Sequence, residues 1–105
     1  KLLYIVYFNL ENGVSEEEFV KKAKEWGSYS EGKVKGMGSG KLYRHHNGAN
    51  PRRYQLHTEM KDYGTWDRFS AFLEKDAKGA RLFQELHKLM DLNTHFDEFA
   101  IEIPL

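Results

Sequence analysis

The sequence predicts an α+β domain in the order strand, helix, strand, strand, helix, strand, with a four-stranded antiparallel sheet and both helices on one face. Three observations lead to this fold class. Residues 2–10 are β-branched and aromatic, with almost no polar side chain on either parity. Residues 53–61 alternate between apolar and polar side chains, and two further segments repeat apolar residues at helical spacing. Because strand 2–10 is apolar on both parities, we expect both of its faces to be covered.

The first strand and the first helix have clear boundary signals. Asn12 and Gly13 form a turn that ends strand 2–10. Ser15 and Glu18 match the capping box that opens a helix. The helix then repeats apolar residues at Phe19, Val20, Ala23 and Trp26. We expect it to stop at Gly27.

The two middle strands form a hairpin in this reading. Residues 33–46 predict a long second strand with a glycine-rich start, and residues 47–51 predict a turn. In the third strand, residues 53–61, the apolar side chains fall on one face and the polar ones on the other. The apolar set is Tyr54, Leu56, Thr58 and Met60, and the polar set is Arg53, Gln55, His57, Glu59 and Lys61.

The last third of the chain predicts a second helical region and a closing strand. Thr65 can cap this region, which is two helical pieces or one helix bent near Gly79. Residues 95–103 then form a strand with Glu98 on its polar face. Both helical segments are long enough for right-handed crossovers, so residues 1–105 predict a single ferredoxin-like domain.

Composition excludes several classes of function. The 105 residues carry 16 basic and 16 acidic side chains, which argues against binding nucleic acid through phosphate neutralisation. There is no cysteine, so thiolate metal sites and cysteine nucleophiles are excluded. The first apolar run is too short to cross a membrane and has no signal-peptide cleavage site, so we expect a cytoplasmic protein. The 7 Phe, 6 Tyr and 2 Trp suit a core, an interface or a ligand pocket.

Two motifs that suggest cofactors do not fit their structural context. The run of Gly36, Gly38 and Gly40 enters a strand rather than a helix and lacks the spacing of the dinucleotide fingerprint, so it predicts a β-bulge or a close backbone approach. The neighbours His45 and His46 would point to opposite faces of a strand, and no zinc motif is present. We therefore expect no metal and no cofactor.

A polar set remains on the sheet face turned away from the helices. It comprises Gln55, His57, Glu59 and Glu98, with Tyr7 and Asn9 from the first strand, and either Arg44 and His46 or, if a bulge shifts the register, Tyr43 and His45. A histidine beside a carboxylate would have a raised pKa and could transfer protons near neutral pH. The same groups could instead form hydrogen bonds across a subunit interface.

The sequence resembles the dimeric α+β barrel superfamily. The resemblance is carried by residues 4–10, the turn at 12–15, residues 42–44 and residues 66–72, and it spans essentially the whole chain. That superfamily includes EthD-like proteins, antibiotic-biosynthesis monooxygenases that need no cofactor, and muconolactone isomerases. Its RedY/HapK-like branch, linked to prodigiosin-type pigment biosynthesis, is the most similar in length and in its opening strand. No motif is specific enough to transfer catalytic residues, and no haem-ligand pattern is present.

The resemblance implies a homodimer in which two sheets pack face to face, with a cleft between sheet and helices in each subunit. We expect a small protein that binds an aromatic or apolar metabolite and acts as an oxygenase, cyclase or isomerase. In this hypothesis His57 transfers a proton and Glu59 or Glu98 orients it. The ligand contacts are Tyr7, Asn9, Arg44, His46 and Gln55. The alternative is an accessory or structural dimer without turnover.

Overall fold

The sheet of this protein is antiparallel, with its first and third strands at the centre. In a computed structural model of residues 1–105, the chain forms β1 (Leu2–Leu10), α1 (Glu16–Ser30), β2 (Met37–Arg44), β3 (Tyr54–Met60), α2 (Tyr63–Lys75), α3 (Ala77–Lys88) and β4 (Met90–Ile101). The strand order is β2-β3-β1-β4. This topology confirms the predicted ferredoxin-like fold. None of the three helices combines the length and apolar character needed to span a bilayer.

The two faces of the sheet differ in what covers them. Val6 and Phe8 of β1 are buried against Phe19 of α1 and Leu86 of α3, so the even-numbered side chains of β1 face the helices. The odd-numbered side chains of β1 lie on the other side of the sheet, because successive side chains in a strand alternate. We call this second side the open face. It carries Leu3, Ile5, Tyr7, Gln55, His57, Glu59, Phe96 and Glu98.

Helix α1 begins where the sequence predicts and ends later. Ser15 is the N-cap, and its hydroxyl accepts a hydrogen bond from the Glu18 backbone N–H at 3.1 Å. The helix continues through Gly27 to Ser30, so the predicted stop at Gly27 is wrong. The chain leaves the helix at Gly32, whose φ of 74° is favourable only for glycine. A glycine inside a helix reduces its stability without ending it.

The second helical region consists of two helices that meet at Asp76. Asp62 caps α2, and its carboxylate accepts from the Thr65 backbone N–H at 3.1 Å, which corrects the predicted cap at Thr65. Asp76 ends α2 and caps α3, accepting from the Gly79 backbone N–H at 2.8 Å. The alternative of two helical pieces is therefore confirmed, with the break at Asp76 rather than at Gly79. A carboxylate can satisfy the free N–H groups of a new helix, whereas glycine cannot.

Two register shifts shape the edge strands. Met37 pairs with Met60, whereas Gly40 pairs with Thr58, so one extra residue is accommodated between Met37 and Gly40. This is the β-bulge that the glycine run predicts. A second irregularity between Tyr7 and Asn9 lets β4 begin at residue 90, five residues before the predicted start at 95. The other predicted strand bounds differ by up to four residues, with β2 starting at 37 instead of 33.

The helical glycines Gly27 and Gly79 form a matched pair for testing how tightly the helices pack. A Cβ at Gly27 would meet nothing within 4 Å, so we expect Gly27→Ala to raise the free energy of unfolding by about 0.5–1 kcal/mol. A Cβ at Gly79 would lie 2.7 Å from the Phe72 ring, which also packs against Trp26. We expect Gly79→Ala to lower the free energy of unfolding by about 1–3 kcal/mol. Denaturant unfolding measures both, and equal effects would contradict the close packing at Gly79.

Candidate ligand-binding cavity and open face

The hydrophobic core is divided into two clusters, and a cavity lies between them. One cluster is built around Phe8 and Phe19 at one end of the sheet, and the other around Val34 and Phe69 at the opposite end. Trp26 of α1 packs against both clusters. The cavity has a volume of about 530 Å³ and is lined by residues of both clusters. It therefore lies between the sheet and the helices, in the cleft that the resemblance implies.

The lining of the cavity is mainly apolar, with a polar entrance. Of 24 lining residues 13 are hydrophobic, including the aromatic side chains of Tyr4, Trp26, Phe69 and Phe83. The exposed lining residues come from the second half of α1, its following loop and the start of β2, so the cavity opens between these segments. This entrance carries Lys24, Gly27, Ser28, Glu31, Gly32, Gly38, Ser39 and Gly40.

His87 is the histidine that lines this cavity. It lies on α3, and its Nδ1–H donates to the Phe83 carbonyl oxygen at 2.9 Å, which leaves Nε2 unprotonated in the neutral ring. Burial, together with the nearby His95, lowers the pKa of His87. His87 is thus a neutral base at neutral pH. Its contact with His95 of β4 is not visible in the helical period of the sequence.

Tyr4 is a second polar group at the cavity wall. Its hydroxyl donates to Asp97 Oδ2 at 2.7 Å, and its ring packs against Trp66 and Phe99. Burial is the main cause of the raised pKa of Tyr4, and the hydrogen bond to Asp97 adds to it. Tyr4 therefore remains a protonated hydrogen-bond donor at neutral pH.

Five of the sequence-predicted polar residues lie on the open face, on the other side of the sheet from this cavity, namely Tyr7, Gln55, His57, Glu59 and Glu98. The Tyr7 hydroxyl donates to Glu98 Oε1 at 2.9 Å. Glu59 pairs with the Lys1 ammonium group, at 3.4 Å. Neither carboxylate is hydrogen-bonded to His57, so the predicted histidine–carboxylate pair is not formed.

A chain of hydrogen bonds instead connects His57 to His45 through Gln55. His57 Nε2 donates to Gln55 Oε1 at 2.5 Å, and Gln55 Nε2 donates to His45 Nε2 at 2.9 Å. His45 Nδ1 in turn donates to the Arg52 carbonyl oxygen. Burial, followed by the charge of Lys41, lowers the pKa of His57. This direction is opposite to the sequence-based expectation, because burial opposes the charged form and the ring is hydrogen-bonded to an amide rather than to a carboxylate.

The β2 bulge decides between the two alternatives for the second strand. It places Tyr43 opposite Gln55, so Tyr43 and His45 face the open side. Arg44 lies on the helix side, where its Nη1 donates to Glu16 Oε1 at 2.7 Å. Arg44 lowers the pKa of Glu16 through this bond. The grouping of Arg44 with the open face is therefore corrected.

The remaining predicted ligand contacts lie at the strand ends. Asn9 Oδ1 accepts from the Arg53 backbone N–H at 2.7 Å, so Asn9 connects β1 to the start of β3. His46 is exposed just beyond the end of β2. No three His, Asp or Glu side chains are grouped closely enough to hold a metal ion.

The fold is that of small ferredoxin-like proteins, among them dimers and enzymes. No protein-family model matches the sequence. No curated protein matches it either. Solved structures do match, at sequence identities so low that they define the fold alone.

Three of these structures illustrate the range. SnoaB, a cofactor-independent oxygenase from Streptomyces nogalater, is 13% identical with a TM-score of 0.70, over 99% of this chain and 94% of that chain. Hydroxynitrile lyase from Passiflora edulis is 9% identical with a TM-score of 0.70, and the match covers 99% of this chain and 94% of that chain. A dimeric ferredoxin-like protein of unknown function from Jannaschia is 11% identical with a TM-score of 0.69, and the match covers 97% of this chain and 98% of that chain. The expected resemblance to dimeric ferredoxin-like proteins is confirmed at the level of the fold.

The partly buried His57 and His87 predict a pH dependence of stability. The pKa values of His57 and His87 are lower in the folded chain than the ordinary 6.5, so the unfolded chain binds more protons as the pH falls. We expect the free energy of unfolding to decrease from about pH 7 to about pH 5, before the carboxylates titrate. His87→Gln should make this decrease smaller. Denaturant unfolding at fixed protein concentration and several pH values measures this decrease. If the free energy of unfolding of the parent and of His87→Gln falls equally with pH, the partial burial of His87 is contradicted.

Proposed function

We propose that this protein binds a small aromatic or apolar molecule in the cavity between its sheet and helices. The observation that carries this proposal is the cavity itself. Its volume of about 530 Å³ falls within the range of ligand sites, and its mainly apolar lining with few polar groups is typical of them. Aromatic rings from the sheet and from all three helices surround this space. A flat apolar molecule would bury its faces against these rings.

We further propose that His87 transfers a proton to or from this ligand without a cofactor. Its Nδ1–H is held by the Phe83 carbonyl oxygen, so Nε2 can accept a proton from an acidic ligand C–H or O–H group. The same carbonyl would stabilise the imidazolium that forms. SnoaB and the hydroxynitrile lyase support enzymatic chemistry on this fold, as an oxygenase without a cofactor and a lyase. A carrier without turnover is the alternative, and it would bind the same ligand.

The open face is, in this proposal, the contact surface between two copies of the chain. Tyr43 and Phe96 on this face are 47% and 42% exposed in the single chain. A second copy packed face to face would cover these rings, and proteins of the same fold are dimeric. The hydrogen-bonded pair Tyr7–Glu98 and the chain from His57 to His45 would then lie at the interface.

The more specific sequence predictions remain predictions. Catalysis by His57, with Glu59 or Glu98 as orienter, would require a ligand on the open face rather than in the cavity. A role in prodigiosin-type pigment biosynthesis is compatible with an aromatic ligand, and so is a cytoplasmic location.

The two tryptophans allow ligand binding to be measured directly. Trp26 lines the cavity and Trp66 does not. In Trp66→Phe, we expect 2-naphthol to quench the remaining Trp26 emission in a saturable way. In Trp26→Phe, the emission of Trp66 should respond much less, which makes this variant the matched control. Equal quenching in both variants, or none in either, would contradict binding in the cavity.

Assembly through the open face can be tested with two aromatic-to-glutamate substitutions. We expect the parent to sediment as a dimer at micromolar concentration and Phe96→Glu to sediment as a monomer, because a charge would be buried at the interface. Tyr63→Glu is the control, since Tyr63 is 55% exposed on α2 at the helix side. A monomeric parent, or a dimer that persists in Phe96→Glu, would contradict this role of the open face.

His57→Ala separates the two roles considered for His57. Loss of the dimer would assign His57 to the interface. A variant that keeps its fold and its dimer but loses turnover of a ligand bound at the open face would assign it to catalysis instead.

A further inference from the structure

The three glycines at the start of β2 are subject to different constraints. At Gly36 the φ angle is 89°, and a Cβ would lie 2.6 Å from Thr65 Oγ1, so the fold requires glycine there. At Gly38 a Cβ would lie 3.3 Å from Glu59 Cβ, which is tight. The fold therefore requires glycine at position 36 and explains in part the glycine at position 38.

Gly40 is not required by the fold. It is a strand residue whose φ is not positive, so any L-residue can adopt its backbone conformation. A Cβ there would meet only His57 O at 3.7 Å and Leu56 Cδ1 at 3.8 Å, which are ordinary contacts. Glycine inside a strand weakens it, since it adds conformational entropy to the unfolded chain and offers no side chain for packing.

A side chain at position 40 would project toward the cavity. Gly40 pairs with Thr58, a cavity-lining residue of β3 on the helix side of the sheet. Leu42, two residues further along β2, lines the cavity as well. Because side chains two apart share one face, position 40 belongs to this lining. It is exposed, as is Ser28 of α1, and both belong to the lining at the entrance.

We propose that Gly40 determines the ligand specificity of the cavity by leaving the entrance between β2 and α1 wide enough for a fused-ring molecule. This inference rests on the proposed function. Without a side chain at position 40, the space beside Leu42 and Leu56 is available to the ligand. A larger residue would fill this space and restrict the cavity to smaller rings.

The test combines stability with binding of two probes of different size. The probes are 2-naphthol and the four-ring 1-hydroxypyrene, measured by Trp26 emission in the Trp66→Phe background. We expect Gly40→Val to keep or raise the denaturation midpoint, because valine favours strands and meets no close contact. The same substitution should weaken binding of 1-hydroxypyrene at least about tenfold and binding of 2-naphthol much less.

Lys41→Val is the matched control, since Lys41 pairs with His57 and so faces the open side. It should leave the affinity for both probes unchanged. Equal affinities for 1-hydroxypyrene in the parent and in Gly40→Val would overturn the inference while leaving the proposed function intact. A lower denaturation midpoint with equal loss of both probes would overturn it in favour of a structural role. If the parent binds neither probe, the proposed function and this inference both fail.

Discussion

The structure depends on one constraint, which is that both faces of the central strand β1 must be covered. This central strand carries apolar side chains on both faces, and the helices cover only the even-numbered ones. On the open face Ile5 is only 6% exposed, while the rings of Tyr43 and Phe96 remain exposed around the polar groups. Burial of apolar surface is the main favourable contribution to both folding and association. One face of the sheet thus stabilises the protomer, and the other is suited to a second protein surface.

The bulge in β2 assigns side chains to these two faces. A one-residue slip transfers every later side chain to the opposite side of the sheet. Beyond the bulge, Arg44 reaches Glu16 in the first turn of α1, and the Tyr54 hydroxyl donates to the same carboxylate at 3.0 Å. Tyr43 and His45 point the other way, toward Gln55 and His57. The ion pair at α1 and the histidine chain therefore both follow from one extra residue.

The period-two and helical patterns were sufficient to predict the topology, because they report which side chains are buried. They could not fix the register of β2, since the bulge depends on backbone pairing with β3. The residue patterns do not indicate the cavity, which only the family resemblance implied, because it results from a gap between the Phe19 and Phe69 clusters, and no sequence pattern records missing volume. His87 was missed for the same reason, whereas His57 was singled out by its place in a clean alternation.

The register of β3 connects the open face to the cavity. Leu56 and Thr58 line the cavity, and Gln55 and His57, alternating with them, form the hydrogen bonds on the opposite side. A slip of one residue would turn His57 into the cavity and Leu56 outward, with the loss of both sets of contacts. The hydrogen bond from Gln55 on β3 to His45, just beyond the end of β2, depends on the observed register, whereas His57 and Gln55 lie on the same strand. The hydrogen bonds among His57, Gln55 and His45 on the open face therefore help to hold the apolar lining of the cavity in place. None of these three side chains contributes to that lining.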